Sequence, residues 1–282
     1  KMWYTFEKKF RRKGINLEVV YSRYPGHAVE LSRKGIKAGF KKIMAVGGDG
    51  TINEVVNGFY SKEKLINQDL KLIIFSRGTG SDLVKTLNIS KKFPQILKII
   101  KNGHTKYLDV ASISYFDFNN EKNKRIFVNI ADIGLGGSTV NYLQEKPGYL
   151  GGFYKYLRGA LRTILTYRNK KMKLVVDKNK RLHKKLNSVI VANGRFFAGG
   201  MKIAPEASPV DDKLNIIVLN DFSRTELMFN LGKVYTGTHL NHPKVDKILA
   251  QVNEGPSFAK VDNIEIKDED YQGEYSDFEV RY

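Results

Sequence analysis

The chain has 282 residues, 41% of them hydrophobic, and its 48 Lys and Arg outweigh 29 Asp and Glu to give a formal charge of +19. That length and apolar content imply one large or two ordinary domains with real cores. Zero cysteines exclude disulfides and thiolate metal sites and fit a reducing cytoplasm. No apolar run approaches about 18 residues, so no membrane span is expected, and no signal peptide is visible. The charge favours an anionic partner, whether membrane surface, nucleic acid or nucleotide.

In chain order, Trp3, Phe6 and Phe10 share one helical face, and Gly14 ends that helix. The Lys1 start, without an initiator Met, implies residues missing ahead of it. Leu17–Tyr21 predicts a strand, and Ser22-Arg23-Tyr24-Pro25-Gly26-His27-Ala28 leads into a helix ending near Gly39. Ile43-Met44-Ala45-Val46 is short and unbroken, as a strand buried on both faces should be. It runs into Gly47-Gly48-Asp49-Gly50-Thr51, after which Ile52, Val55, Val56 and Phe59 recur at helical spacing. Thr51 and Glu54 have capping-box spacing and predict a helix start at Thr51. Leu72–Phe75 is a second buried strand, entering Ser76-Arg77-Gly78-Thr79-Gly80-Ser81-Asp82 and another helix. Two strand–glycine–Asp–helix units imply a parallel sheet, with both glycine turns at the carboxyl edge of neighbouring strands, where such sheets bind ligands. Pro94–Gly103 reads as a helix with Ile96, Leu97, Ile99 and Ile100 inward. From Tyr107 onward strands dominate, with helices near Phe153–Tyr167 and Thr225–Tyr235. The fold class is therefore α/β in two domains: residues 1–108 form a parallel-sheet domain, and residues 109–282 form a mainly antiparallel β domain whose last segment is open to a return to the first.

Glycines let a backbone approach a bound group and turn its amides toward it, and a helix N-terminus adds partial positive charge, so the Gly47–Thr51 turn suits phosphate. Asp49 would repel phosphate unless a cation lies between them, and Mg²⁺ is the natural candidate. A bare GGDG equally fits a tight strand-to-helix turn with a solvated Asp. The full string GGDGTINEVVNG, Gly47–Gly58, is much more specific.

That string resembles the signature of the diacylglycerol kinase catalytic family, which includes bacterial soluble lipid kinases and the sphingosine and ceramide kinases. The resemblance runs along nearly the whole chain. It implies an N-terminal domain like those of NAD kinase and diacylglycerol kinase, a C-terminal β-sandwich, and ATP and Mg²⁺ as cofactors. In the family a strand and an Asn-Pro glycine-rich loop that touches the nucleotide come before this helix; they would belong to the residues ahead of Lys1. Ser22–Ala28 resembles the family's Thr-x-x-x-Gly-x-Ala, making Ser22 a phosphate-contacting hydroxyl; a plain helix cap reads the same residues. With Gly48, Asp49, Gly50, Thr51, Ile52, Asn53, Glu54 and Thr79, Ser22 completes the implied nucleotide site. Ser76–Asp82 resembles Pro-x-Gly-Thr-Gly-Asn-Asp, with Ser76 for Pro and Ser81 for Asn. Asp82, and Asp109 in Leu108-Asp109-Val110, match the family's further acidic positions and would hold Mg²⁺ with Asp49, directly or through water. Phe127–Gly134 resembles a family strand facing the cleft, and Asn193–Ser208 is the best match outside the first domain. Just after it, Asp211 matches an Asp that carries a structural Mg²⁺. Ser208 and Lys213 stand at the other ligand positions, Lys213 through its carbonyl alone, and Asp212 replaces the usual Gly. A solvated acidic turn is the alternative. Gln272-Gly273-Glu274 stands where the family has Asp-Gly-Glu, which makes Glu274 the general base.

The implied reaction is ATP- and Mg²⁺-dependent phosphorylation of a lipid hydroxyl, with diacylglycerol the first acceptor, ATP across the glycine turns and the lipid entering from the interdomain cleft. Its rivals are an NAD kinase-like phosphotransferase, whose GGDGT is related, and a non-catalytic nucleotide or lipid sensor, motivated by Ser81 and Gln272. No nucleic-acid motif is recognisable, and the five histidines form no metal-spaced pair. A homodimer is a further expectation. Between Lys155 and Lys185 stand twelve basic residues and one acid, Asp177, a net +11. A stretch so charged, with apolar neighbours, implies peripheral docking on an anionic membrane, or else a solvated face over a core.

Overall fold

The computed structural model describes residues 2–78, 80–117, 119–145, 152–176, 180–251, 264–268 and 278–281. The chain divides into two compact units, one of residues 1–78 and 88–107 and one of residues 79–87 and 108–282. The segment 79–87, read from sequence as part of the first domain, therefore belongs with the second unit.

The first unit runs α1 (Met2–Arg12), α2 (His27–Lys37), β1 (Lys42–Gly47), α3 (Asp49–Phe59), the two-strand ribbon β2 (Tyr60–Ser61) and β3 (Lys64–Leu65), and β4 (Lys71–Ser76). It passes α4 (Asp82–Thr86) to the second unit and resumes with α5 (Phe93–Asn102). β1 and β4 pair in parallel, with Lys42 opposite Lys71 and Gly47 opposite Ser76, so both glycine turns leave the same sheet edge. Phe10, Phe75 and Ile96 are buried, with Trp3, Phe6 and Phe93 packed around them. Phe6 meets Phe75 edge-on, with centroids 5.2 Å apart at 88°.

Three local expectations are corrected here. Leu17–Tyr21 alternates half-buried and exposed residues as a strand would, but pairs with no strand among the described residues, and Val20 and Tyr21 are exposed. Ile99 lies off the buried stripe of α5 and is exposed. Helix α3 begins at Asp49 with Gly48 at its N-cap and no side-chain cap, because Glu54 is engaged elsewhere.

The second unit adds β5 (Ala111–Phe116), β6 (Lys122–Phe127), β7 (Ile130–Gly134), α6 (Leu135–Glu145), α7 (Gly152–Thr166), β8 (Lys170–Val176), β9 (Lys180–Ala192) and β10 (Lys213–Asn220). Next come α8 (Arg224–Thr236), a short 3-10 turn at Thr238–Asn241, β11 (Val245–Gln251), β12 (Ile264–Asp268) and β13 (Phe278–Arg281). The strands form one sheet in the order β11-β10-β9-β8-β12-β13-β5-β6, and β7 also pairs with β9. All of these pairings are antiparallel. Ala111 and Phe127 share a core with Leu174, Leu186, Leu214 and Ile216, so the sheet closes over itself as a sandwich. Of the last segment, the described strands lie in the second unit: β12 is held between β8 and β13, and β13 pairs with β5. Sequence reading missed α6 and β11; Gly136 and Gly137 obscure the helical signal of the first.

Candidate active site

In the first unit the two glycine turns are locked together by backbone. The Gly47 carbonyl accepts hydrogen bonds from the N–H groups of Arg77, at 2.7 Å, and Gly78, at 3.1 Å. A Cβ at Gly78 would lie 2.2 Å from the Gly48 Cα, and one at Gly47 would lie 2.4 Å from Thr51 Oγ1, so packing forbids side chains at both. Gly50 is different. It is exposed, and a Cβ there would meet nothing within 4 Å. The chain itself makes no demand for glycine at that place, where α3 begins and helix N–H groups lack intrahelical partners. Asp49, half-buried, is the first residue of α3 beside this opening.

The rest of the Gly47–Gly58 string is engaged structurally. Ile52 is fully buried, and its N–H donates to the Gly48 carbonyl at 3.1 Å, which corrects its expected place on the nucleotide. Glu54 accepts hydrogen bonds from Gly26 N at 2.9 Å and Ala28 N at 3.2 Å, so its carboxylate caps α2 instead of closing a box with Thr51. Asn57 Nδ2 donates to the Asn53 carbonyl at 2.7 Å. Gly58 faces Ser32, whose Oγ donates to the Val55 carbonyl at 3.0 Å, and a Cβ at Gly58 would lie 2.5 Å from the Ser32 Cβ. Ser22 is exposed in the segment before α2. Thr79 lies outside the described residues.

In the second unit Asp82 opens α4. Its Oδ1 is 2.8 Å from Lys85 Nζ and its Oδ2 accepts from Gly199 N at 2.7 Å, with the carboxylate buried. A Cβ at Gly200 would lie 3.2 Å from the same Lys85 ammonium. Thr86 Oγ1 accepts from Arg195 N at 3.0 Å. The Asn129 carbonyl accepts from Asn193 N and Gly194 N, and Asn193 Nδ2 donates to the carbonyls of Asp109 and Val128. Through these bonds the 193–208 stretch is fastened to α4, to the β6–β7 corner and to Asp109. Lys85 escaped the sequence reading; its one signal was a basic residue three places after Asp82 on a helix. Ser81 is buried in the left-handed region, with φ 51° and ψ 46°, a conformation the Asn usual in the family adopts more readily.

Asp109 Oδ2 accepts hydrogen bonds from Asp211 N and Asp212 N, both at 2.9 Å, and Asp211 Oδ1 accepts from Lys213 N at 3.2 Å. Burial raises the Asp109 carboxyl above its ordinary pKa, and the charges of Asp212 and Asp211 add to that against the backbone donors. Burial likewise raises Asp211. Asp212 has φ 55°, which explains the glycine usual there. Mg²⁺ needs oxygen ligands in near-octahedral array at about 2.0–2.1 Å. Among the described residues no group of three or more His, Cys, Asp or Glu is placed to hold a metal, and one oxygen of each of Asp109 and Asp211 accepts from backbone N–H groups. A hydrogen-bonded acidic turn therefore stands where the resemblance implies a structural Mg²⁺ held by Ser208, Asp211 and the Lys213 carbonyl. Gln272, Gly273 and Glu274 lie outside the described residues.

Residues 1–113 match the family model of the diacylglycerol kinase catalytic domain, and residues 134–254 match that of the YegS C-terminal NAD kinase beta sandwich-like domain. A diacylglycerol kinase of Staphylococcus haemolyticus is 26% identical over 241 residues, 84% of this chain and 68% of that protein. One of Staphylococcus epidermidis is 25% identical, over 84% of this chain and 71% of that protein. The crystal structure of a diacylglycerol kinase from Bacillus anthracis shares the fold, with a TM-score of 0.67 at 22% identity over 99% of this chain and 88% of that one. The glycine turns and the sandwich thus each match the corresponding half of one known architecture, and the chain belongs to the diacylglycerol kinase catalytic-domain family of kinases.

Proposed function

We propose that the protein is an ATP- and Mg²⁺-dependent lipid kinase that phosphorylates the hydroxyl of diacylglycerol or a related lipid to a phosphatidic-acid-type product. The observation that carries this reading is the contrast among the glycines: Gly47 and Gly78 are required by packing, whereas Gly50 faces open space at a helix N-terminus beside a carboxylate. Such a place accepts a phosphate chain and its cation, and the donor set there, one carboxylate among backbone amides, fits a metal–nucleotide. Mg²⁺, when bound with the nucleotide, neutralises charge that develops on the transferred phosphoryl group. Asp49 orients that cation. Asp82 and Asp109 were assigned the same role by resemblance. In this structure Asp82 holds the Lys85 ammonium and the Gly199 backbone, and Asp109 holds the 211–212 turn; their part in holding the cation rests on the resemblance alone. Glu274 keeps the role of general base on sequence grounds.

No helix among the described residues is long and apolar enough to cross a membrane. The lipid would be met at a membrane surface, a reading supported by the exposed basic residues Lys171, Lys173, Arg181 and Lys185 of β8 and β9. The deciding experiment supplies radiolabelled ATP and Mg²⁺ with a panel of neutral lipids in mixed micelles, and NAD in a parallel reaction. Label in diacylglycerol or another lipid, and none in NAD, is the expected result. Label in NAD alone would replace the acceptor, and no transfer to any acceptor would overturn the reading.

A further inference from the structure

The second unit contains a cleft of about 590 Å³ where α7 ends and α8 begins, a volume suited to a small ligand. Asn187 lines it and is fully buried. The β9–β10 register slips at this residue: Leu219 faces Ser188 and Asn220 faces Leu186, so Asn187 is the extra residue of a bulge, a device that re-aims a side chain out of the ladder. Its amide orientation follows from its neighbours. Asn169 Nδ2 donates to Asp221 Oδ1 at 2.6 Å and to the Phe222 carbonyl at 2.7 Å, two atoms that only accept. Asn169 Oδ1 must then accept from Asn187 Nδ2, at 2.9 Å. Asn187 Oδ1 is left as a buried acceptor without a donor among the described residues, and burial of an unmet acceptor is costly.

The rim supplies charge. Lys185 pairs with Asp221 at 3.4 Å and Lys244 with Glu226 at 2.7 Å. Arg168 and Arg224, both exposed, have no ion pair among the described residues. The N-terminus of α8 lies on the same cleft but is closed by its own capping box: Glu226 N donates to Ser223 Oγ, and Ser223 N donates to the Glu226 carboxylate. Two guanidinium groups without an ion pair among the described residues match a phosphate. A neutral O–H or N–H group could supply the donor that Asn187 Oδ1 lacks, and the hydroxyl of a polyol is such a group.

We propose that this cleft binds a phosphorylated polyol, with the phosphate at Arg168 and Arg224 and a hydroxyl donating to Asn187 Oδ1. Soluble glycerol phosphate and a phosphatidylglycerol headgroup both carry that chemistry. Calorimetric titration of the full chain with sn-glycerol 3-phosphate and with inorganic phosphate, beside co-sedimentation with phosphatidylglycerol or phosphatidylcholine vesicles, tests the proposal. Either glycerol phosphate or phosphatidylglycerol vesicles should bind, and which one does identifies the source. Binding should weaken about tenfold or more in Arg168→Ala/Arg224→Ala, since charge-assisted bonds are lost. Asn187→Asp, checked by circular dichroism for an intact fold, should weaken it similarly by adding a negative charge beside the phosphate. Inorganic phosphate that binds as tightly as glycerol phosphate, an arginine double variant that binds like the parent, or no binding of either source would each overturn the proposal.

Discussion

The Cα of Gly48 lies so close to Gly78 that a Cβ on Gly78 would come within 2.2 Å of it. The two phosphate-type turns of the first unit are therefore one piece of packed backbone, not two independent loops. Gly78→Ala must separate them and should destabilise by roughly 1–3 kcal/mol, as overpacking does. Gly50→Ala adds its methyl to open space near the start of α3 and should leave stability unchanged or raise it by up to about 1 kcal/mol. The same change should weaken ATP binding, because the methyl occupies the place proposed for phosphate. Thermal unfolding and ATP titration on both variants separate the effects; unchanged ATP affinity in Gly50→Ala would move the nucleotide elsewhere.

Asp49 and Glu54 sit five residues apart on α3 and should respond oppositely to loss of charge. Asp49→Asn should abolish phosphoryl transfer at saturating Mg²⁺ with a far smaller effect on the melting temperature, since the proposed role of this first-turn carboxylate is to orient the cation. Glu54→Gln should cost about 0.5–2 kcal/mol of stability, because Glu54 caps the N-terminus of α2 through Gly26 and Ala28. Its effect on transfer should follow the loss of folded protein. Normal turnover in Asp49→Asn contradicts the first assignment, and unaltered unfolding of Glu54→Gln contradicts the second.

How much of this was readable in advance differs from residue to residue. The parallel pairing of β1 and β4 followed from two apolar runs that each end in glycine and lead to a helix, and the structure reproduces it. The string Gly47–Gly58 was legible as a motif but not as a division of labour. Glu54 and Gly58 serve contacts with Gly26 and Ser32, and partners 26 or more residues away leave no local signature. Helix α4 and the 193–208 stretch meet through Asp82, Lys85 and Thr86, contacts of more than a hundred residues in sequence that no periodicity encodes. The acidic turn shows the same limit: nothing local to Asp211 signals that its backbone N–H donates to Asp109, 102 residues earlier.

Asp132, on β7, offers a pH-dependent test of the second unit. Burial lifts its pKa to about 7 against a hydrogen bond with Ser188, and its Oδ1 is buried without a partner among the described residues. The unfolded chain ionises this group near 4, whereas the folded chain keeps it protonated to about 7. The folded state thus binds more protons between those values, so this group's contribution to stability falls as pH rises from about 4 to about 7 and is level above. Asp132→Asn should remove that slope and stabilise the protein at pH 8, by an amount on the order of a few kcal/mol. Urea unfolding of both proteins at pH 5 and pH 8 measures it; an equal stability difference at the two pH values would show that Asp132 ionises normally in the fold.

The outer face of β8 and β9 decides how the protein would reach a lipid. Lys171 and Lys173 are exposed and alternate with buried Met172 and Leu174, while Lys170 is half-buried and points with the core-facing set. Across the ladder Lys171 faces Lys185, Lys173 faces His183, and Arg181 sits opposite Val175, all three β9 residues being exposed. Like charges directly opposite one another destabilise a sheet, as Lys171 and Lys185 do here; Asp221 offsets Lys185, and Lys171, Lys173 and Arg181 remain as a basic row. An anionic membrane would relieve the rest, gaining about 1 kcal/mol per basic residue near the surface, screened within a Debye length. Docking should need anionic lipid, fall with added salt, and be lost in Lys171→Glu/Lys173→Glu/Arg181→Glu. Arg168→Ala/Arg224→Ala, at the cleft, should keep salt-sensitive binding to vesicles of phosphatidic acid or phosphatidylserine, which lack the glycerol headgroup. Liposome co-sedimentation across a salt series reads both. Equal sedimentation with neutral vesicles, or full binding by the triple variant, would show the row to be a solvated face over the core.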